Sequence, residues 1–235
     1  MTGKVAVITG GSQGVGGGLV AGYRGRGWAV VAAVGTTTQS QDPGVITVAG
    51  DIADPATADQ IVGVALERFG RLDTLVNNGG VFIAKPFTGY TAADYARVMG
   101  GSLTGFFWVT QRAIAEMTMR YGGHVVSVSA ARAEVAGFGG PAVLAALTEG
   151  GLVAATRSLA VEYAAYGIRV NAVSTGVIQT AVHLADSYDG LGSRLSPLGR
   201  AGRVSDVVDG VLFLESSPYI TGEVLHIDGG QFADR

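Results

Sequence analysis

The chain predicts an α/β fold, a doubly wound parallel sheet of about seven strands held between two helical layers. Three observations carry that expectation. Short β-branched runs alternate with longer Ala-rich stretches of helical period. The short runs are continuously apolar, as strands covered on both faces are. A glycine cluster follows the first run, where a strand must turn sharply into a helix.

The first strand is expected over Val5–Thr9, and Thr9-Gly10-Gly11-Ser12-Gln13-Gly14-Val15-Gly16 then turns into a helix. The second strand, Ala29–Val34, is followed at 35–44 by polar residues without helical period, including Thr36-Thr37-Thr38. The crossover to the third strand, 45–48, is therefore a short loop. A helix over Pro55–Phe69 leads to a strand at 74–76. Helical patterns over 92–120, 144–165 and 204–214 precede strands at 124–128, 169–173 and Val224–Ile227. Residues 176–197 break the rhythm, being rich in Gly, Ser and Asp, and a loop of that length is expected to be a lid over a site. With no internal repeat and no linker, residues 1–235 read as one domain.

Composition narrows the function. The net charge is −3 and Lys and Arg form no run, which argues against a nucleic-acid groove or a polybasic membrane patch. The absence of cysteine removes thiol catalysis, disulfides and thiolate metal sites. His124, His183 and His226 are scattered without metal-ligand spacing. Strand-like sequence from Lys4 leaves no room for a leader, and no apolar run is expected to reach the ~18 residues of a membrane span. A soluble cytoplasmic protein is the expectation. The 38 glycines sit in clusters, which suits turns and close backbone approaches rather than disorder.

The glycine turn carries the first chemistry. Backbone without side chains lets a pyrophosphate approach, and the helix N-terminus offers N–H groups and partial positive charge. The spacing Thr-Gly-x-x-x-Gly-x-Gly over 9–16 resembles the cofactor fingerprint of the short-chain dehydrogenase/reductase family, on a Rossmann-type fold. Other stretches resemble that family in the same order. Gly50-Asp51-Ile52 is similar to its adenine-contacting turn, and Asn77-Asn78-Gly79-Gly80 to its Asn-Asn-Ala-Gly motif. Gly167–Val173 leads into Ser174-Thr175-Gly176, where the family has Pro-Gly. Pro197-Leu198-Gly199-Arg200, Tyr219-Ile220-Thr221-Gly222 and Asp228-Gly229-Gly230 resemble its C-terminal signature, as in 3-oxoacyl-carrier-protein reductases. The resemblance implies a nicotinamide dinucleotide held by Gly10, Ser12, Gln13, Gly14, Val15, Gly16, Thr36, Asp51, Ile52, Asn77, Gly79 and Gly176, with Ile178 and Thr180 at the carboxamide. No Asp or Glu ends the second strand to bind the ribose hydroxyls of NAD. The Thr36-Thr37-Thr38 hydroxyls can donate to a 2′-phosphate, so NADP is favoured over NAD, although the threonines also suit a plain loop.

The resemblance implies four catalytic side chains, Asn, Ser, Tyr and Lys, and places them at Ser102, Ala130, Ala145 and Glu149. None of the four expected side chains is present, and no Tyr or Lys lies between Gly122 and Ala160. The interval from Ala130 to Ala145 is also two residues longer than the resemblance implies. An alanine transfers no proton, and Glu in place of Lys reverses the local field. Candidate substitutes are Ser129, Ser102 and a carboxyl of raised pKa at Glu149, each with a plainer structural account as a backbone-bonded hydroxyl or a solvated acid. Arg132 and Glu134 in the following loop and His183 in the lid are candidates for contacting a small-molecule substrate. An atypical NAD(P)-dependent oxidoreductase acting on a carbonyl or alcohol is the first reading. A cofactor-binding protein without catalysis, or a non-redox enzyme on this fold, stays open beside it. Mean hydropathy of +0.36 and the apolar helices at 92–120 and 144–165 call for a homo-oligomer, which the resemblance makes a tetramer, with a dimer as the alternative.

Overall fold

The computed structural model describes residues 3–36, 39–130, 141–180 and 196–233. Among these, seven parallel strands form one sheet in the order β3-β2-β1-β4-β5-β6-β9. They are β1 Val5–Thr9, β2 Ala29–Val34, β3 Val45–Ala49, β4 Thr74–Asn77, β5 Gly123–Ala130, β6 Ile168–Thr175 and β9 Val224–Ile227. The helices are α1 Gly14–Gly25, α2 Pro55–Phe69, α3 Ala92–Met99, α4 Gly105–Met119, α5 Val143–Glu162 and α6 Val204–Glu215. A small parallel pair, β7 Ile178–Gln179 and β8 Gly202–Arg203, brackets residues 180–201.

The doubly covered sheet follows from the strand sequences. Val5, Val7, Val31, Ala33, Leu75, Val125 and Val170 point to one face, where Ala58, Ile61 and Ala65 of α2 and Val109, Ala113 and Met117 of α4 cover them. Their neighbours Ala6, Ile8, Val30, Ala32, Val76, Val126 and Val173 point to the other, under Leu19 and Tyr23 of α1 and Val207, Val211 and Leu214 of α6. Alternate side chains serve opposite layers, so each strand is apolar throughout. No helix lies among the described residues between β2 and β3, as the loop sequence requires.

The order reverses beside β1: α1 carries the chain to β2 on one side, and α2 carries it back to β4 on the other. This switch point opens a crevice above the C-terminal ends of β1 and β4. The helical pattern over 92–120 is not one helix. A π-helical segment, Gly100–Thr104, separates α3 from α4. A Cβ at Gly101 would lie 2.9 Å from Val81 and one at Gly105 2.5 Å from Ile52, so the widened turn sits where two loops press on the helix. The helix expected over 144–165 ends as α5 at Glu162 and continues as a 3₁₀ turn, Ala164–Tyr166. Contrary to the expectation of no membrane-length apolar run, α5 is long and apolar enough to span a bilayer by length and composition. Here its Leu144, Ala145, Thr148, Leu152, Val153, Thr156 and Ala160 are buried within the fold.

Candidate active site

The glycine turn is built by Thr9 and Asn78. Thr9 Oγ1 donates to the Asn78 carbonyl at 3.0 Å and accepts from the Asn78 N–H at 2.9 Å. Asn78 Nδ2 reaches back to the carbonyls of Thr9 at 3.2 Å and Gly10 at 3.4 Å. The ends of β1 and β4 are thereby locked at the switch point. Gly10 has φ +62° with the Asn78 carbonyl 2.7 Å from where a Cβ would stand, and a Cβ on Gly16 would lie 1.9 Å from the Gly10 carbonyl. Only glycine fits either place.

Gln13 is the N-cap of α1 but makes no side-chain cap, and no acid occupies the first turn. The first N–H groups of α1 are left for an outside acceptor, with the helix dipole behind them. They face a cleft of about 570 Å³ lined by Gly10, Ser12, Gln13, Gly35, Asp51, Ile52, Asn78 and Gly79. A cradle that a Cβ would fill, uncapped amides and no acid in the helix's first turn fit a dinucleotide pyrophosphate.

The other nucleotide candidates fall as follows. Ser12, Gln13 and Thr36 are exposed beside this cleft, and Val15 turns toward the core. Asp51 is exposed, and its Oδ1 accepts from the Ala53 N–H at 2.9 Å, which shapes the turn after β3. Ile52 also packs on the core. Thr180 approaches the α1 turn, its Cγ2 3.4 Å from a Cβ built on Gly14. Asn77 faces away from the cleft: its Nδ2 donates to Thr110 on α4 at 2.9 Å, and its Oδ1 is buried without a partner. Asn78, which the sequence reading passed over, is the residue at the switch point. The period of the strand held the signal, because two adjacent residues ending a strand face opposite ways.

The second cavity, about 510 Å³, adjoins the first through Asn78, Gly79, Gly80 and Val81. Its walls bring Ser129, Ala130, Ala145 and Glu149 together with Phe82, Gly176, Val177 and Ile178. Ser129 and Ala130 end β5 opposite Ser174 and Thr175 of β6, and Thr175 Oγ1 donates to the Ser129 carbonyl at 3.1 Å. Ala145 and Glu149 are one turn apart on α5, so they share a face. Ser102, in the π segment, lies behind Gly80. Its Oγ accepts from the Val81 N–H at 3.3 Å and stands 2.8 Å from a Cβ built on Gly80. Arg132, Glu134 and His183, and residues 181–195 of the expected lid, lie outside the described residues.

Glu149 is half-buried, and its Oε2 and the neighbouring Ser129 Oγ are both enclosed. Burial pushes the carboxyl's pKa above the ordinary glutamate value. The nearby Ser129 hydroxyl and Ala130 N–H pull it only part of the way back.

A family model described as Enoyl-(Acyl carrier protein) reductase matches residues 11–231. The 3-oxoacyl-(acyl-carrier-protein) reductase FabG of Aquifex aeolicus (strain VF5) is 32% identical over 249 residues, covering 99% of this chain and 98% of that protein. The chain belongs to the short-chain dehydrogenase/reductase family. Among solved structures, ElxO with NADP bound superposes with a TM-score of 0.91 at 26% identity over 100% of both chains. A short-chain type dehydrogenase/reductase from Mycobacterium marinum gives 0.91 at 26% identity over 100% of this chain and 97% of that one. The short-chain dehydrogenase/reductase fold thus sets the cleft at the start of α1 beside a second cavity whose titratable side chain, among the described residues lining it, is Glu149.

Proposed function

We propose that the chain is an NADP-dependent oxidoreductase of the short-chain family acting on a carbonyl- or alcohol-type small molecule through an atypical active site. One observation carries this: the nucleotide cradle opens directly into a cavity with a largely buried carboxyl, Glu149, in its wall. A bound nicotinamide supplies or accepts the hydride. The protein's own part is to hold the pyrophosphate on α1, shield the second cavity with Phe82, Val177 and Ile178, and move a proton at Glu149 Oε2. Ser102, Ala130 and Ala145 stand where the family resemblance puts Asn, Ser and Tyr, and of the three only Ser102 carries a polar group, already engaged by Val81. The NADP-bound relative ElxO and the lack of an acid at the end of β2 support NADP over NAD.

Titration with NADPH, followed by nicotinamide fluorescence, tests the cradle. Saturable binding is expected, and Gly14→Asp, which adds a carboxylate where the pyrophosphate would sit, is expected to abolish it. No saturable binding of either nucleotide overturns the reading. The second reading is a nucleotide-binding subunit without catalysis, favoured by Ala130 and Ala145, which offer no proton. It predicts NADPH binding with no substrate turnover and no effect of Glu149→Gln. The same proposal makes the protein cytoplasmic and homo-oligomeric, a tetramer or a dimer, with no nucleic-acid or membrane partner.

A further inference from the structure

The walls of the second cavity combine three features. Glu149 Oε2 is enclosed, and the carboxyl's polar neighbours are the Ser129 hydroxyl and the Ala130 N–H, not a cation. Among the described residues lining the cavity there is no Lys, Arg or His to pair with the carboxyl. The rest of the wall is largely apolar, with Val81, Phe82, Val128, Val177 and Ile178. A pocket for hydride transfer must stabilise the charge that develops at the heteroatom. In a ketone that atom starts neutral and becomes negative, which calls for O–H donors and a nearby cation. Ala130 and Ala145 supply no O–H, the Ser129 hydroxyl is engaged with Glu149, and a carboxylate opposes the developing charge. In a protonated carbon–nitrogen double bond the nitrogen starts positive and becomes neutral. A carboxylate facing it in an apolar pocket is the complementary group.

We infer that this pocket is built for a protonated carbon–nitrogen double bond, so that the preferred substrates are small apolar imines and the corresponding amines rather than ketones and alcohols. The inference rests on the nucleotide-dependent part of the reading above and replaces its carbonyl substrate with the nitrogen counterpart. The imine nitrogen takes the proton of Glu149, giving an iminium opposite a carboxylate. An imine is basic enough to accept that proton before hydride arrives, whereas a ketone oxygen is not, so the acid strength of a carboxyl matches the task. Hydride from the reduced nicotinamide then adds with its electron pair to the carbon. The π pair of the carbon–nitrogen bond becomes the nitrogen lone pair, and the products are amine and oxidised nicotinamide. Glu149 regains a proton from solvent, so each turnover consumes one imine, one reduced nicotinamide and one proton. The Ser129 hydroxyl and the Ala130 N–H beside Glu149 stabilise the carboxylate left behind.

The test uses the full chain, with NADP⁺ present for binding and NADPH for turnover. Calorimetry compares 2-methylpyrrolidine with 2-methylcyclopentanol, a neutral ligand of similar size, against the wild type and Glu149→Gln. The amine is expected to bind about tenfold or more tightly than the alcohol, and Glu149→Gln to remove that preference while changing NADPH affinity less than about twofold. NADPH consumption is expected to be faster with 2-methyl-1-pyrroline than with 2-methylcyclopentanone, by about a hundredfold. Equal binding of amine and alcohol, faster ketone reduction, or Glu149→Gln weakening NADPH but not the amine would each overturn the inference and leave the nucleotide reading standing. Failure to bind NADPH at all overturns both.

Discussion

Glu149 shows at the scale of one residue how a functional group costs stability. Its carboxyl has a raised pKa in the folded chain, chiefly from burial. As pH rises past the ordinary glutamate value the unfolded chain loses this proton first, while the folded chain still holds it. Stability therefore falls with pH through that window and stays lower above the folded value. Glu149→Gln keeps the shape without the charge. It is expected to match the wild type in acid and exceed it at neutral pH, where each ~1 kcal/mol gained raises Tm by about 2–4 °C. Melting curves across pH check this, and identical curves at every pH would show that the carboxyl is solvated. Restoring Ala145→Tyr together with Glu149→Lys sets a phenol and an ammonium one turn apart on α5. Ketone turnover is expected to rise about 10²-fold or more, read from NADPH consumption. At this scale the family resemblance implied Ala130, Ala145 and Glu149, with Ser129 beside them, and one cavity wall brings the four together. The strand period shows that Asn77 and Asn78 face opposite ways, but which of them serves the switch point is decided by the contact with Thr9 on the neighbouring strand, 69 residues away in the chain.

Among the elements, α6 shows a polar cluster that the sequence pattern did not announce. Glu215, at its end, accepts through Oε2 from Tyr23 OH at 3.1 Å, Thr74 Oγ1 at 2.9 Å and His124 Nδ1 at 3.0 Å. On the other side of the ring, Asn171 Nδ2 lies 3.1 Å and Arg169 Nη1 3.3 Å from His124 Nε2. Both of these neighbours are donors, so Nε2 must accept and the imidazole is neutral with its proton on Nδ1. Burial, with the Arg169 charge, holds the His124 pKa below the ordinary imidazole value despite Glu215. Three strands and two helices thus meet in one network whose donors and acceptors come from distant parts of the chain. Each residue alone looks like an ordinary surface polar group. Because the folded pKa is depressed, the unfolded chain takes up a proton that the folded chain refuses once pH drops below the ordinary imidazole value. Stability is full above that value and is lost as pH falls toward the folded pKa. Urea midpoints measured from pH 8 down to pH 5 are expected to decline in this window. His124→Gln, though less stable at neutral pH, is expected to show a flatter profile. An unchanged slope in the variant would place the acid sensitivity elsewhere. The π segment of Gly100–Thr104 was hidden for the same reason, since helical period is the same on both sides of it and the pressure on it comes from Val81 and Ile52.

For the whole molecule, the layer architecture was readable because every central strand is apolar on both faces, which leaves one way to cover it. What the strands do not specify is the outer surface of the helices. Once α4 and α5 have buried one face in the sheet, their other faces still carry large apolar groups: Phe107 is 52% exposed, Leu147 55% and Val161 83%. A groove of about 440 Å³ runs between the two helices, lined by Phe106, Phe107, Ile114, Leu159 and Tyr163. Apolar surface gathered this way on two adjacent helices is costly in water and is expected to be covered by a partner. A second copy presenting the same pair of helices would cover it with a closed, self-complementary contact, since a two-fold axis brings each groove against its own image. The same surplus explains why α5 meets the length and hydropathy of a membrane span although more than a third of its residues are buried inside the fold. Phe107→Glu tests this cleanly. The side chain is half-exposed in the single chain, so the substitution leaves the sheet and its core intact, while in an assembly it buries an unpaired carboxylate at the centre of the contact. Light scattering at micromolar concentration is expected to give a dimer or tetramer for the wild type and a smaller species for Phe107→Glu, with the two far-ultraviolet circular dichroism spectra alike. A monomeric wild type would refute the assembly. An unchanged oligomer in the variant would move the interface off α4, to the exposed apolar residues of α6 and its neighbours, where Phe213 is 53% exposed.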